Sequence, residues 1–166
     1  MMTGGWLTVA LTRSPPRPPD ARRLVTDRKE GAVSAQDNMK TIQAIYEAFG
    51  RGDVGFILDC LSDDVDWATD TSSRAAPWYG PHRGKASVTD FFQAFGSTMT
   101  VQQFEPVSFA SNGTDVHSVV KLKATRAANG RSAEMNLHHW FVFRDGKIAY
   151  YRGTEDTALT EAIFAG

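Results

Sequence analysis

From Ala35 onward the spacing of apolar positions divides the chain into helices first and strands afterwards. Ile42, Ile45, Tyr46 and Phe49 recur three or four residues apart and predict one helix, roughly Ala35 to Gly50, with a single apolar stripe. Gly50 and Gly52 stop it, and Asp53 is placed to cap a second helix over Val54 to Leu61 that buries Val54, Ile57, Leu58 and Leu61. Ser62-Asp63-Asp64 then predicts a turn into a short strand, Val65 to Thr69, with Val65, Trp67 and Thr69 on one side. A long loop is expected from Asp70 to Gly84. It holds Trp78 and Tyr79, and burying such rings is worth about 1.5–3 kcal/mol each, so the loop is expected to fold over the mouth of a cavity. A third helix spans Lys85 to Phe95, with Val88, Phe91, Phe92 and Phe95 turned inward.

Beyond it the period falls to two. Val101 to Ala110, then Val116 to Thr125, read as strands joined by the turn Ser111–Asp115; Val116, Val120, Leu122 and Ala124 share a face opposite Lys121 and Lys123. Asn129-Gly130 leads into a hairpin, Arg131 to Asp156, around which the rest is organised. In its first arm Met135, Leu137, His139, Phe141 and Phe143 alternate with Glu134, Asn136, His138, Trp140 and Val142, so a largely apolar face carries one imidazole. The second arm depends on the turn. A two-residue Asp145-Gly146 loop sets Ile148, Tyr150 and Arg152 beside His139. A three-residue Arg144-Asp145-Gly146 loop, with Gly146 as bulge residue, sets Ala149, Tyr151, Gly153 and Glu155 there. The second is preferred because it keeps Arg152 off the apolar face. Thr157 to Phe164 closes the chain as a short helix. Helices followed by a long antiparallel meander describe an α+β domain, with the sheet curled around the helices and a pocket between them.

Composition narrows the function. With 166 residues and 42% hydrophobic content the chain suits one globular domain, and a net charge of −1 gives no general electrostatic reason to expect nucleic acid or an anionic membrane as partner. Cys60 is the only cysteine, which excludes an internal disulfide and a thiolate metal cluster; it is expected to be a buried structural thiol. No apolar run approaches the ~20 residues needed to span a bilayer, and Trp6 to Leu11 is too short and lacks the basic start of a secretory signal, so a cytoplasmic location is expected. Residues 1–38, with Ser14-Pro15-Pro16-Arg17-Pro18-Pro19 and scattered arginines, read as a disordered extension or a targeting or partner-binding tail, and Met39 is an alternative start.

Several short stretches recur in a familiar order: Ile45-Tyr46-Glu47-Ala48-Phe49-Gly50-Arg51-Gly52-Asp53, Asp63-Asp64-Val65-Asp66-Trp67, Tyr79-Gly80, Arg83-Gly84, Phe91-Phe92, Arg144-Asp145-Gly146-Lys147-Ile148 and Glu155-Asp156-Thr157. Together they resemble the SnoaL-like branch of the nuclear-transport-factor-2-like superfamily, whose relatives include ketosteroid isomerases, SnoaL-type polyketide cyclases and limonene-epoxide hydrolases. The resemblance covers Met39 to Gly166. It implies a cone-shaped α+β barrel, usually dimeric, that binds small apolar molecules without a metal or organic cofactor. The isomerase's general-base aspartate falls at Thr69, with Asp70 one step late. Its oxyanion tyrosine falls at Ile45, with Tyr46 one step late, and its second oxyanion acid falls at His139. The epoxide hydrolase's Arg-x-Asp pair finds no match, and its other aspartate falls at Gly153. The resemblance therefore supports neither reaction and leaves a cyclase-like histidine plus carboxylate, His139 with Glu155 or Asp156. It also favours Met135, Leu137, His139, Tyr151 and Glu155 as cavity-facing.

Each candidate has a plainer reading beside the chemical one. His139 is either a satisfied core histidine or, with an ordinary pKa near 6.5, a proton carrier at neutral pH. Glu155 is either a strand-end residue reaching solvent or a pocket carboxyl, paired with His139 or the Tyr151 hydroxyl as a base, or raised by desolvation into an acid. Asp156 is expected to cap the last helix, and Asp70 to serve a turn or to assist catalysis. Tyr46, Trp67, Thr69, Trp78, Tyr79, Phe91, Phe95, Met135, Leu137, Phe141 and Tyr151 are expected to line the pocket. His82 and Arg83 are expected to be a solvated loop pair. His138 and His139 point to opposite faces and cannot share a metal. The outer face, with His138, Trp140 and Val142, is too apolar to leave wet, which predicts a homodimer through it. The functional readings are a cofactor-free enzyme moving protons on an apolar carbonyl compound, a non-catalytic carrier of a small apolar ligand, or a protein-interaction domain whose pocket is filled by its own side chains.

Overall fold

The computed structural model describes residues 34–165. The extension expected at 1–38 falls outside these residues up to position 33. Its last residues do not: Ser34 caps α1 (Ala35–Gly50) through a reciprocal pair with Asp37, so the folded part starts before Met39. Ile42, Ile45, Tyr46 and Ala48 give α1 its buried stripe, and Asn38, also buried, donates Nδ2 to the Gly113 carbonyl at 2.9 Å. Asp53 caps α2 (Val54–Asp59) as expected, accepting from the Phe56 N–H. This helix is one turn and a half; it buries Ile57 but leaves Val54 and Leu58 half-exposed, and Cys60 is half-buried where a buried thiol was expected.

The first strand departs from expectation. Ser62-Asp63-Asp64 makes no turn, because β1 runs from Leu61 to Thr69. Its acids stay in solvent at the strand surface, with Lys85 beside Asp63 and Arg144 beside Asp64. The expected 70–84 loop contains a short strand, β2 (Gly80–Arg83), antiparallel to β1 at its edge, where Pro81 costs no central ladder bond. Next come α3 (Gly84–Thr98), β3 (Met99–Ser111), β4 (Asp115–Arg126), β5 (Ser132–Arg144), β6 (Lys147–Thr154) and α4 (Thr157–Phe164), the last capped by Asp156 as expected.

The sheet order is β2-β1-β6-β5-β4-β3. It is a mixed sheet rather than an antiparallel meander, because β1 and β6 run parallel while every other neighbouring pair is antiparallel. Its inner face curves against α1 and α3 through aromatic contacts: Tyr46 and Phe49 meet Phe104 at 5.3 and 4.7 Å, and Phe91 and Phe92 meet Trp67 at 5.7 and 5.8 Å. The C-terminus of α4 is held by the β4–β5 turn. Arg126 and Asn129 donate to the Ile163 carbonyl, and Arg131 donates to those of Ala162 and Ala165 at 3.0 and 2.7 Å. Among the described residues no helix is long and apolar enough to cross a membrane.

The β5–β6 hairpin corrects the preferred turn. Asp145 (φ 52°) and Gly146 (φ 75°) are both left-handed and Arg144 pairs with Lys147, so the loop has two residues, not three. The extra residue lies further along. Phe143 pairs with Ile148 and Val142 with Tyr150, which leaves Ala149 as a bulge. Ile148 is therefore buried on the inner face, and beyond the bulge Tyr151 and Gly153 face inward opposite Phe141 and His139. The preferred face was right for Tyr151 and Gly153 and wrong for Ala149.

Candidate functional site

His139 sits mid-strand on β5, on the inner face, 9% exposed. Its Nδ1 lies 2.7 Å from the Tyr46 hydroxyl on α1, and that hydroxyl also hydrogen-bonds Ser118 Oγ, the residue across the ladder on β4. Burial pushes the imidazole down to about 3, helped by the neighbouring His138, so His139 is neutral at physiological pH. Burial also raises Tyr46, with Ser118 opposing, and the phenol stays protonated.

The network has a preferred direction. Phenol is the more acidic donor and a neutral imidazole nitrogen the better acceptor, so Tyr46 donates to Nδ1 while Ser118 donates to the Tyr46 oxygen. The reverse chain leaves the buried Ser118 proton without an acceptor, at a cost of about 1–3 kcal/mol. Nδ1 is thereby spent and the ring proton resides on Nε2, which has no hydrogen-bond partner among the described residues.

The carboxylate lies at the other end. Glu155, just past β6, accepts two hydrogen bonds at Oε1, one from the Tyr79 hydroxyl and one from Thr160 Oγ1 on α4 at 2.7 Å. Its Oε2 takes none among the described residues. Tyr79 is raised by burial and by this bond. The expected pairing of Glu155 with His139 or Tyr151 is therefore corrected: His139 bonds Tyr46, and Glu155 bonds Tyr79 and Thr160.

Both groups line one aromatic cavity of ≈ 90 Å³ (the space open to the centre of a water molecule). Tyr46, Trp67, Thr69, Trp78, Phe91, Phe95, Leu137, Phe141 and Tyr151 line it, as expected. Three residues do not. Met135 shares the inner face with its cross-strand partner Leu122 but does not reach the space; Tyr79 stands behind Glu155; Asp70 is exposed, its N–H on the Gly153 carbonyl at 2.7 Å, and it borders a groove on the outer face instead. Trp78 is only 4% exposed and is held in the cavity wall by edge-on contacts with Phe95 and Phe164 at 5.0 and 5.7 Å. His82 is half-buried, with one ring nitrogen 2.9 Å from the Ser87 carbonyl and the other 3.1 Å from that of Trp78, and Arg83 pairs with Asp66 at 2.9 Å. Neither lines the cavity.

Sequence reasoning passed over Ser118, Phe104 and Thr160, and placed Phe49, Phe92 and Gly153 on inward faces without assigning them to the site. Ser118 had a signal: alternation puts it on the Val116–Val120 face, a hydroxyl among apolar side chains. Thr160 had none, since only the tertiary fold brings α4 to Glu155. Among the described residues no group of three or more His, Cys, Asp or Glu is placed to hold a metal.

Comparison with curated protein sequences gives no match. Among solved structures, an NTF2-like protein of unknown function from Burkholderia pseudomallei superposes with a TM-score of 0.72 at 25% identity, covering 78% of this chain and 98% of that one. TerC, co-crystallised with polyporic acid, gives 0.67 at 22%, covering 76% and 97%. A provisionally assigned polyketide cyclase from Xanthomonas campestris gives 0.64 at 20%, covering 79% and 98%. The SnoaL-like domain model matches residues 42–151, the span from the α1 stripe through Tyr46, Ser118 and His139 to Tyr151. On that match, and with NTF2-like neighbours around the same curved sheet, the chain belongs to the SnoaL-like domain family.

Proposed function

We propose that the cavity performs cofactor-free proton transfer on a small apolar carbonyl compound, as an isomerase or cyclase does. Glu155 Oε2 takes a proton from the carbon beside the carbonyl; the C–H electron pair becomes the enolate double bond, and charge moves to oxygen. His139 Nε2–H donates a hydrogen bond to that oxygen, and Glu155 returns the proton to another carbon. The observation that carries this reading is that Tyr46 occupies Nδ1 of a neutral, buried imidazole. A ring held down to about 3 is a poor base at neutral pH but a good fixed donor, so His139 stabilises charge rather than carrying the proton. Apolar walls strengthen that hydrogen bond by excluding water.

The test is exchange of the α-hydrogens of cyclohexanone in D₂O, followed by proton NMR. Glu155→Gln should lower the exchange rate by about 10²–10⁴ and His139→Leu by about 10²–10³, with ketone binding largely kept. Wild-type exchange in Glu155→Gln would remove the assignment.

A second reading, a carrier that binds without converting, draws on the hydroxyls that brace Glu155 as a structural tie between strand end and α4. Ketone binding without exchange by the wild-type protein would select it. Under either reading the outer face, with His138, Trp140 and Val142, is the surface proposed to join two copies.

A further inference from the structure

Tyr151 stands between the two ends of the cavity. Its ring lies against Trp67, centroids 3.8 Å apart and planes 23° from parallel, and edge-on to His139 at 5.4 Å. Trp67 is backed by Phe91 and Phe92, so the stack has little room to retreat. The hydroxyl lies over Gly153, where an added Cβ would come within 2.5 Å of Oη. Gly153 is directly across the ladder from His139 and two residues before Glu155. The hydroxyl therefore occupies the ground between imidazole and carboxylate. It makes no hydrogen bond among the described residues, and Tyr151, only 6% exposed, lines the cavity. A polar atom of a molecule in the cavity can supply its partner.

We propose that Tyr151 sets the size and polarity of the ligand: a single-ring ketone or enol whose oxygen accepts its hydroxyl, with fused-ring compounds excluded. The proposal rests on reading the cavity as a carbonyl site. The space left is ≈ 90 Å³. An engineered apolar cavity of about 150 Å³ holds one benzene, so one ring is the ceiling here and enters as the walls give slightly. The pairing of residues at 151 and 153 maintains that ceiling. A side chain at 153 would drive the phenol off its seat, and a shorter side chain at 151 would lengthen the slot.

The test uses cyclohexanone and its fused two-ring analogue 2-decalone, with binding followed by quenching of tryptophan fluorescence. An unrestricted apolar site would bind the greasier decalone about a hundredfold tighter. The wild-type protein should bind cyclohexanone and reverse that order. Tyr151→Leu should shift the ratio toward decalone by at least about tenfold. Tyr151→Phe keeps the ring, so the order stays and cyclohexanone weakens about tenfold. Gly153→Ala, which keeps the Tyr151 side chain, should also weaken cyclohexanone by about tenfold or more. Decalone binding tighter to the wild-type protein, an unchanged ratio in a folded Tyr151→Leu, or no quenching by cyclohexanone overturns the proposal. If Tyr151→Leu does not fold, the wild-type order and Gly153→Ala decide. Absence of α-hydrogen exchange with the binding order intact would retire the proton-transfer reading and leave this one standing.

Discussion

His138 and His139 are adjacent in sequence and live in different solvents. His139 turns inward, buried and neutral, with one nitrogen fixed by Tyr46; His138 turns outward and is exposed. The contrast runs along both faces of the sheet. Inside, Phe141, Tyr151 and Trp67 form a packed aromatic wall with few polar groups. Outside, His117 lies parallel to Trp140 at 5.9 Å, Tyr150 meets Trp140 at 5.1 Å, and Arg152 lies 4.1 Å over Tyr150 while pairing with Asp66 at 3.1 Å. The difference teaches that aromatic content alone does not mark a site. The inner rings enclose a space; the outer rings form a half-covered surface.

The largest break in that comparison should come from deleting an inner ring. Phe141→Ala, at a residue 1% exposed, should cost about 3–5 kcal/mol in denaturant unfolding, whereas Trp140→Ala next to it should cost about 1 kcal/mol or less in the folded unit itself. Equal losses would show the outer face to be as much core as the inner.

The acid limb of stability is next. The folded-state value of His139, about 3, lies below its ordinary 6.5, so the unfolded chain takes up the proton first. That contribution is complete above about pH 6.5 and is lost as pH falls toward 3, for a total of up to about 5 kcal/mol. His139→Leu should flatten the slope in this window, and His138→Leu should leave it, as read from melting temperatures across pH. A slope that survives in His139→Leu would place the titrating group elsewhere.

Tyr46→Phe removes the hydroxyl shared by Ser118 and His139 and leaves both unpaired, for about 1–3 kcal/mol. It should also release the imidazole tautomer, visible in the ring nitrogen shifts of His139. The smallest effect on folding, and the sharpest on assembly, is expected at the outer face. Trp140→Lys should change the stability of the folded unit by about 1 kcal/mol or less, yet convert a dimer to a monomer in sedimentation at micromolar concentration. A wild-type monomer there would remove the outer face from consideration as an interface.

The helices, their caps at Asp53 and Asp156, and the inward set on β5 were all legible, because local period and cap chemistry carry them. The parallel β1–β6 pair was not, since alternation is the same for either strand direction and only the tertiary path decides. The Ala149 bulge had no residue signal. The Asp-Gly turn was visible, but the parity change sits beyond it, and the polarity of Arg152 pointed to the right face through the wrong residue. At the site, His139 and Glu155 could be singled out, but their partners could not. Tyr46 reaches His139 across 93 positions of chain and Tyr79 reaches Glu155 across 76, distances over which spacing carries no information.

The clamp on α4 gives the end of the chain leverage over the carboxylate. Arg126, Asn129 and Arg131 hold the helix by its last carbonyls, and the helix in turn delivers Thr160 to Glu155 and Phe164 to Trp78. A fusion that continued the helix past Phe164 would take those carbonyls from the arginines. Shortening the chain at Ala158 would leave the sheet whole while stripping Glu155 of a donor and Trp78 of a ring it packs against. Protein engineers working with this scaffold would do better to attach their handles at the other terminus.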